Sequence, residues 1–311
     1  MKSLIIQLCD TSVAFCHYPK SHRSPKLIDL KVLREGLIWA MKNGLSIHIL
    51  YPEYNIPQEY LQCIQEFEHI VITSKTYSPD DITVFSGCET LISDCDYHSS
   101  PVILRTRISD FINNVQQLSQ ALSNYSRINI TFTDIQDFSK LRENEYEDCL
   151  RILSQRISDL YFYGSYVQLN LLTDRCMLTE MNNCNAGVDN VTLSPDGKFY
   201  ICPGFYLDGD NSIGSLDKGL NIPNGQLLEL QFAPICRQCD AFHCRRCVWL
   251  NKKTTLEINT PSYEQCIMAH IERRVSSELL RIIRQYGSFA PDVSIPKINY
   301  NDPLEKILKY Y

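Results

Sequence analysis

The sequence predicts an α/β protein: a partial (β/α) barrel over residues 1–172, a cysteine-rich domain over 173–270, and a C-terminal helix and tail over 271–311. Three observations carry this. Short apolar runs alternate with amphipathic helical stretches through the first 172 residues, the pattern of a parallel sheet with helices on its outer face, here of about six strands. Past Leu172 the helical periodicity stops, and seven of the twelve glycines fall between Gly187 and Gly225. Four cysteines, Cys236, Cys239, Cys244 and Cys247, then lie within twelve positions.

In order, residues 3–8 form a short apolar run and predict a buried first strand. Apolar residues recur at helical spacing from Leu27 to Lys42, and Asn43-Gly44 stops that helix. A strand over Ser46–Leu50, a helix over 57–67 and strands over 69–73 and 82–85 follow. The series continues with a strand at 102–104, a helix at 108–122, a strand at 128–132, a helix at 145–160 and a strand at 166–171. Helical pattern returns from Tyr263 to Tyr286, where Gly287 ends it, and a tail with Pro291, Pro296 and Pro303 reads as an irregular extension.

At 311 residues the chain can bury a large core. A net charge of −6 on an ordinary globular composition gives no sign of nucleic-acid binding. No run approaches the roughly 18–20 apolar residues of a membrane span, and Asp10 interrupts the N-terminal apolar run too soon for a secretory signal. Fourteen cysteines without export point to the reducing cytoplasm, where metal thiolates are favoured over disulfides.

The run from Pro234 to Cys247 holds two C-x2-C pairs back to back, with Cys176, Cys184 and Cys202 upstream and Cys266 downstream. Thiolate sulfur at this spacing grips zinc or an iron–sulfur cluster from one tight turn. The pattern C176-x7-C184-x12-G197-x4-C202, then C236-x2-C239-x4-C244-x2-C247, then C266, resembles the SPASM domain of radical SAM enzymes that mature peptides. Its central spacers are one residue shorter at two points. The segment 194–202, with a hairpin turn at Pro195-Asp196-Gly197 leading to Cys202, is also typical of that domain. The resemblance implies two [4Fe–4S] clusters, one held by Cys176, Cys184, Cys202 and Cys247, the other by Cys236, Cys239, Cys244 and Cys266. The alternative is a pair of structural zinc sites, with His243 or His270 as an added ligand.

A SPASM domain implies a radical SAM barrel before it, with a C-x3-C-x2-C loop after the first strand. Cys9 and Cys16 stand at the outer positions of that motif, but Val13 stands in the middle. A valine has no lone pair for iron, so the cofactor motif is degenerate. The second strand ends in Leu-Tyr-Pro-Glu-Tyr, residues 50–54, in place of a Gly-Gly-Glu loop. Both departures argue against cleavage of S-adenosylmethionine, and Ser86-Gly87-Cys88-Glu89 reads as a chance echo of the lost loop.

The combination resembles the CXXX repeat peptide maturases, radical-SAM-like proteins encoded with a true radical SAM maturase and a cysteine-repeat precursor; residues 233–273 carry most of the resemblance. It implies maturation of a ribosomally made peptide, with the precursor and a radical SAM maturase as partners. No nucleic-acid or membrane partner and no catalytic residue is assigned. Arg237, Arg245 and Arg246 are expected to form a solvated face or an anchor for an acidic partner, with tuning of a cluster's potential as the alternative. Asp10, His17 and Tyr18 are expected as loop residues near the first strand, and Glu145–Asp148 as a charged first helical turn.

Overall fold

The structure, a computed structural model, describes residues 1–286 except positions 76, 77, 95, 177, 179, 182, 243 and 245 and the side chain at 140. His243, Arg245, Gly287 and the proline-bearing tail therefore lie outside the described residues. The described chain divides into two compact units, each drawn from separate stretches of sequence: Met1–Val84, Cys184–Glu229 and Cys247–Leu250 in the first, Phe85–Asn183, Leu230–Arg246 and 251–286 in the second.

In the first unit, β1 (Ser3–Gln7) lies between β2 (Ser46–Leu50) and β8 (Asn190–Leu193), parallel to both. Parallel strands continue through β3 (Ile70–Thr73) to β4 (Ile82–Ser86). On the other side β9 (Lys198–Tyr200), β10 (Gly214–Ser215) and β11 (Gly219–Leu220) add on antiparallel. Helix α1 (Leu30–Lys42) starts where the Asp29 carboxylate accepts the amides of Lys31 and Val32, and buries Leu33, Leu37 and Ala40, one face at helical spacing. Gly36 allows the close approach: a Cβ there would stand 2.4 Å from Leu193. Helix α2 (Gln58–Gln65) adds Tyr60, Cys63 and Ile64 to a core that includes Leu4, Ile6, Ile49, Val191 and Phe199. Each fully buried side chain of this kind contributes about 1.5–3 kcal/mol. β8 leads into the hairpin turn expected at Pro195-Asp196-Gly197, but its parallel pairing with β1 was not expected from the sequence. Val191 and Leu193 are too short an apolar run to stand out, yet they complete the flank of β1.

In the second unit, β5 (Val102–Thr106), β6 (Arg127–Phe132) and β7 (Gln168–Leu169) are parallel. The expected strand at 166–171 shortens to two residues because side chains take over its pairing. Asn170 exchanges two hydrogen bonds with the backbone of Ile130, and the Thr173 hydroxyl accepts the Leu169 amide. The short α3 (Cys88–Ile92) was not expected. Gly87 enters it at φ +91°, and Asp110 of α4 (Ile108–Ala121) accepts the Cys88 amide. Helix α5 (Glu143–Phe162) packs on the long α8 (Tyr263–Ile283), which opens with a reciprocal capping box between Ser262 and Gln265. Beneath them Phe111, Phe132, Phe138 and Tyr146 form a ring cluster. Among the described residues no helix is long and apolar enough to cross a membrane.

Candidate functional site

In the first unit, local geometry carries three cysteines toward one another. The β8–β9 hairpin pairs Thr192 with Tyr200 and Leu193 with Phe199, and Cys202 follows two residues past the end of that ladder. The Asn190 side chain donates to the Cys184 carbonyl. Gly197, at φ +77°, makes the turn. Cys202 then begins α6 (Pro203–Leu207), where Gly204 lies under the Trp249 ring, so near that a Cβ would stand 2.6 Å from it. Trp249 follows Cys247 by two residues at the start of α7 (Val248–Thr255), and its indole donates to Asp208 at 2.7 Å.

A fourth sulfur joins them. Cys16 shares a side-chain hydrogen bond with Cys247, and the charges of Cys184 and Cys202 also act on Cys247. That hydrogen bond, then burial, then the neighbouring sulfurs hold the Cys247 thiol well above the usual range. Burial, then Cys184, raises Cys202, against the pull of the Phe205 and Gly204 amides. Thiols so placed resist ionising together, and a bound cation is what would let them give up their protons.

The rest of the N-terminal loop goes elsewhere. The Cys9 sulfur is fully buried, 3.1 Å from the Tyr54 hydroxyl and 3.4 Å from that of Thr11. The Val13 amide donates to the Tyr51 carbonyl at 2.8 Å and its side chain is buried. Cys9 and Cys16 thus have separate sets of partners. At the end of β2, Tyr51 is buried, and Glu53 pairs with Lys20 at 2.5 Å. Beside Tyr54 a cavity of about 540 Å³ opens among Tyr51, Ile56, Leu61, Val71 and Asp81, between α2, the end of β2 and the starts of β3 and β4. Asp10 accepts a 2.6 Å hydrogen bond from Tyr206 and faces Arg23 at 3.7 Å, and Tyr18 stands edge-on to Trp249. With His17 also buried, these residues brace the loop rather than line an opening.

In the second unit, Cys236, Cys239, Cys244 and Cys266 line one small apolar cavity with Met181, Ile235, Ala241, Ala269 and His270. Cys236 and Cys239 flank a single helical turn, and Cys266 stands in the first turn of α8. The Cys239 sulfur accepts the Ala241 amide at 3.4 Å and lies 3.9 Å from His270 Nε2. Burial pushes the Cys236 thiol up to about 11, while Arg246 pulls it down by charge and hydrogen bond. Burial also drives Cys244 well above the usual range, followed by Cys266, Cys236 and Cys239. Arg246, expected on a solvated face, is 2 % exposed because its guanidinium turns in to Cys236. Four soft donors round an apolar space suit a soft metal centre. Among the described residues no three His, Cys, Asp or Glu side chains already stand grouped as around a single ion, and no cysteine is joined in a disulfide.

Cys176 belongs to the second unit and has different company. Its fully buried sulfur donates to the carbonyls of Leu172 and Ser276, and burial pushes the thiol up to about 12. The part that sequence reasoning missed is Cys16 beside Cys247; the aromatic residues two positions after each, Tyr18 and Trp249, were the available signal.

Among solved structures the chain resembles polyhistidine-tagged anSMEcpe with bound AdoMet at TM-score 0.66 and 14 % identity, over 99 % of this chain and 98 % of that one. Native anSMEcpe with bound AdoMet and the Cp18Cys peptide matches at TM-score 0.64 and 14 % identity, over 92 % of this chain and 99 % of that one. The fold is that of radical SAM/SPASM proteins. No family model and no curated protein matches the sequence. Within the radical SAM/SPASM fold this chain keeps the parallel-dominated sheet and the long C-terminal helix, while the loop after β1 carries Val13 between two cysteines with separate partners.

Proposed function

We propose that this chain is an iron–sulfur protein of peptide maturation, acting on a ribosomally made cysteine-repeat precursor of the CXXX kind together with a true radical SAM maturase, and not itself cleaving S-adenosylmethionine. The observation that carries this is the loop after β1. Cys9 is engaged by Tyr54 and Thr11, Val13 is buried, and Cys16 bonds to Cys247. Three sulfurs are not assembled there as a cofactor-binding loop needs.

Cys236, Cys239, Cys244 and Cys266 would hold one cluster, and Cys184, Cys202 and Cys247 three corners of another. Such clusters supply one-electron transfer or a soft site for a substrate thiolate. Arg246 beside Cys236 is placed to tune the first of them by charge and hydrogen bonding. The cavity beside Tyr54, with apolar walls and the Asp81 carboxylate, offers a lining that a peptide could use. The likeness to a solved complex with a peptide supports a peptide substrate.

The test is co-purification with a radical SAM maturase and a cysteine-repeat precursor, followed by mass analysis of the peptide. The modified product is expected only when both proteins are present. Formation of 5′-deoxyadenosine by this chain alone, under reduction, would contradict the proposal.

One observation favours a second reading. His270 lies 3.9 Å from the Cys239 sulfur on the cavity wall, and three thiolates with one imidazole make a structural zinc site. The chain would then be a zinc-stabilised peptide- or protein-binding module, colourless and without redox chemistry. Metal and sulfide analysis separates the two.

A further inference from the structure

The interrupted N-terminal motif leaves the role of Cys16 to explain. Three contacts within the first unit bring it to the thiols from the other end of the chain. The hairpin delivers Cys202 just past β9, the Asn190 bond holds Cys184 at the start of β8, and the Cys184 charge acts on Cys202. Gly204, two residues past Cys202, packs under Trp249, two residues past Cys247. Tyr18, two residues past Cys16, meets the same indole edge-on with ring centres 6.5 Å apart. Cys16 and Cys247 thus each stand two residues before one of these two touching rings. Tyr206 of α6 bonded to Asp10, and Arg23 bonded to the carbonyls of Tyr206 and Leu207, fix the loop against the helix that Cys202 begins.

We propose that Cys16 is the fourth thiol of a metal centre formed with Cys184, Cys202 and Cys247, in the place that resemblance would give to Cys176. A sulfur at an outer position of the degenerate radical SAM motif would thus serve the auxiliary centre. Cys176 is accounted for differently, as a buried donor to the Leu172 and Ser276 carbonyls in the other unit. Four cysteines within one unit complete a tetrathiolate set without it.

This inference rests on the reading of the chain as an iron–sulfur protein, and the experiment separates the two. Full-length protein is prepared without oxygen, reconstituted with iron and sulfide, and assayed for both per chain, as wild type and as Cys9→Ala, Cys16→Ala, Cys176→Ala and Cys184→Ala. Circular dichroism checks that each variant is folded. Wild type is expected to hold about eight irons, Cys16→Ala and Cys184→Ala each to lose about half of them, and Cys9→Ala and Cys176→Ala to keep them. If Cys16→Ala fails to fold, alkylation of intact wild type decides: Cys16 is expected to be shielded in the loaded protein and labelled after chelation. Full iron in Cys16→Ala with half lost in Cys176→Ala would overturn the inference alone, as would a Cys16–Cys247 disulfide in loaded wild type. Wild type without iron or sulfide would overturn the reading beneath it.

Discussion

Val13 and its two cysteine neighbours carry the proposal that this chain does not cleave S-adenosylmethionine. The valine is buried, its amide ties the loop to Tyr51, and the flanking sulfurs have separate partners, Tyr54 and Thr11 for Cys9 and Cys247 for Cys16. A sulfur restored at position 13 would therefore lack two correctly placed companions. Val13→Cys is expected to produce no 5′-deoxyadenosine when incubated with S-adenosylmethionine and a strong reductant, measured by chromatography against wild type. Appearance of the nucleoside would mean that one thiol was all the barrel lacked. The residue identities were legible in the sequence, since a missing cysteine is plain to read. The partners were not: nothing in the spacing of Cys9 and Cys16 says that one turns to Tyr54 and the other to Cys247.

Elements were legible in proportion to their length and periodicity. α1 and α8 follow their apolar faces closely, although α1 begins at Leu30 rather than at the expected Leu27, because Asp29 caps it there. β7 was legible in place but not in length, and the pairing of β8 with β1 was not legible, because two residues of ladder or a Val-Thr-Leu run carry little pattern and their partners are distant strands. Helix α8 packs on α5 in the second unit and carries a buried ion pair. Glu272, fully buried, pairs with Arg175 at 2.5 Å and accepts the Tyr146 hydroxyl at 2.5 Å. Removing the carboxylate charge leaves a buried guanidinium without its counter-ion. Glu272→Gln is expected to cost about 3–5 kcal/mol in urea unfolding. A loss below about 1 kcal/mol, the scale of a surface pair, would show that Arg175 finds another partner.

At the scale of the molecule, cysteine count misleads unless each thiol's neighbours are read, because structural thiols and proposed ligands are alike buried. Cys88 and Cys149 lie outside both proposed centres, and burial raises them from an ordinary 9.0 to about 12 and about 11. In the folded chain they stay neutral while the unfolded chain ionises them near an ordinary thiol value. Their stabilisation is therefore complete below about pH 8.5 and is lost as pH rises toward the folded values. The urea midpoint is expected to fall between about pH 8.5 and pH 11, and less steeply in Cys88→Ala. An unchanged slope in that variant would assign the alkaline loss to other groups.

The two proposed centres draw on cysteines spread from Cys16 to Cys266, so one number reports on both. Iron and acid-labile sulfide per chain, measured on protein kept free of oxygen, tests the account most directly. About eight of each, with broad visible absorbance that bleaches on reduction, is the expected result. Stoichiometric zinc with neither iron nor sulfide would contradict it.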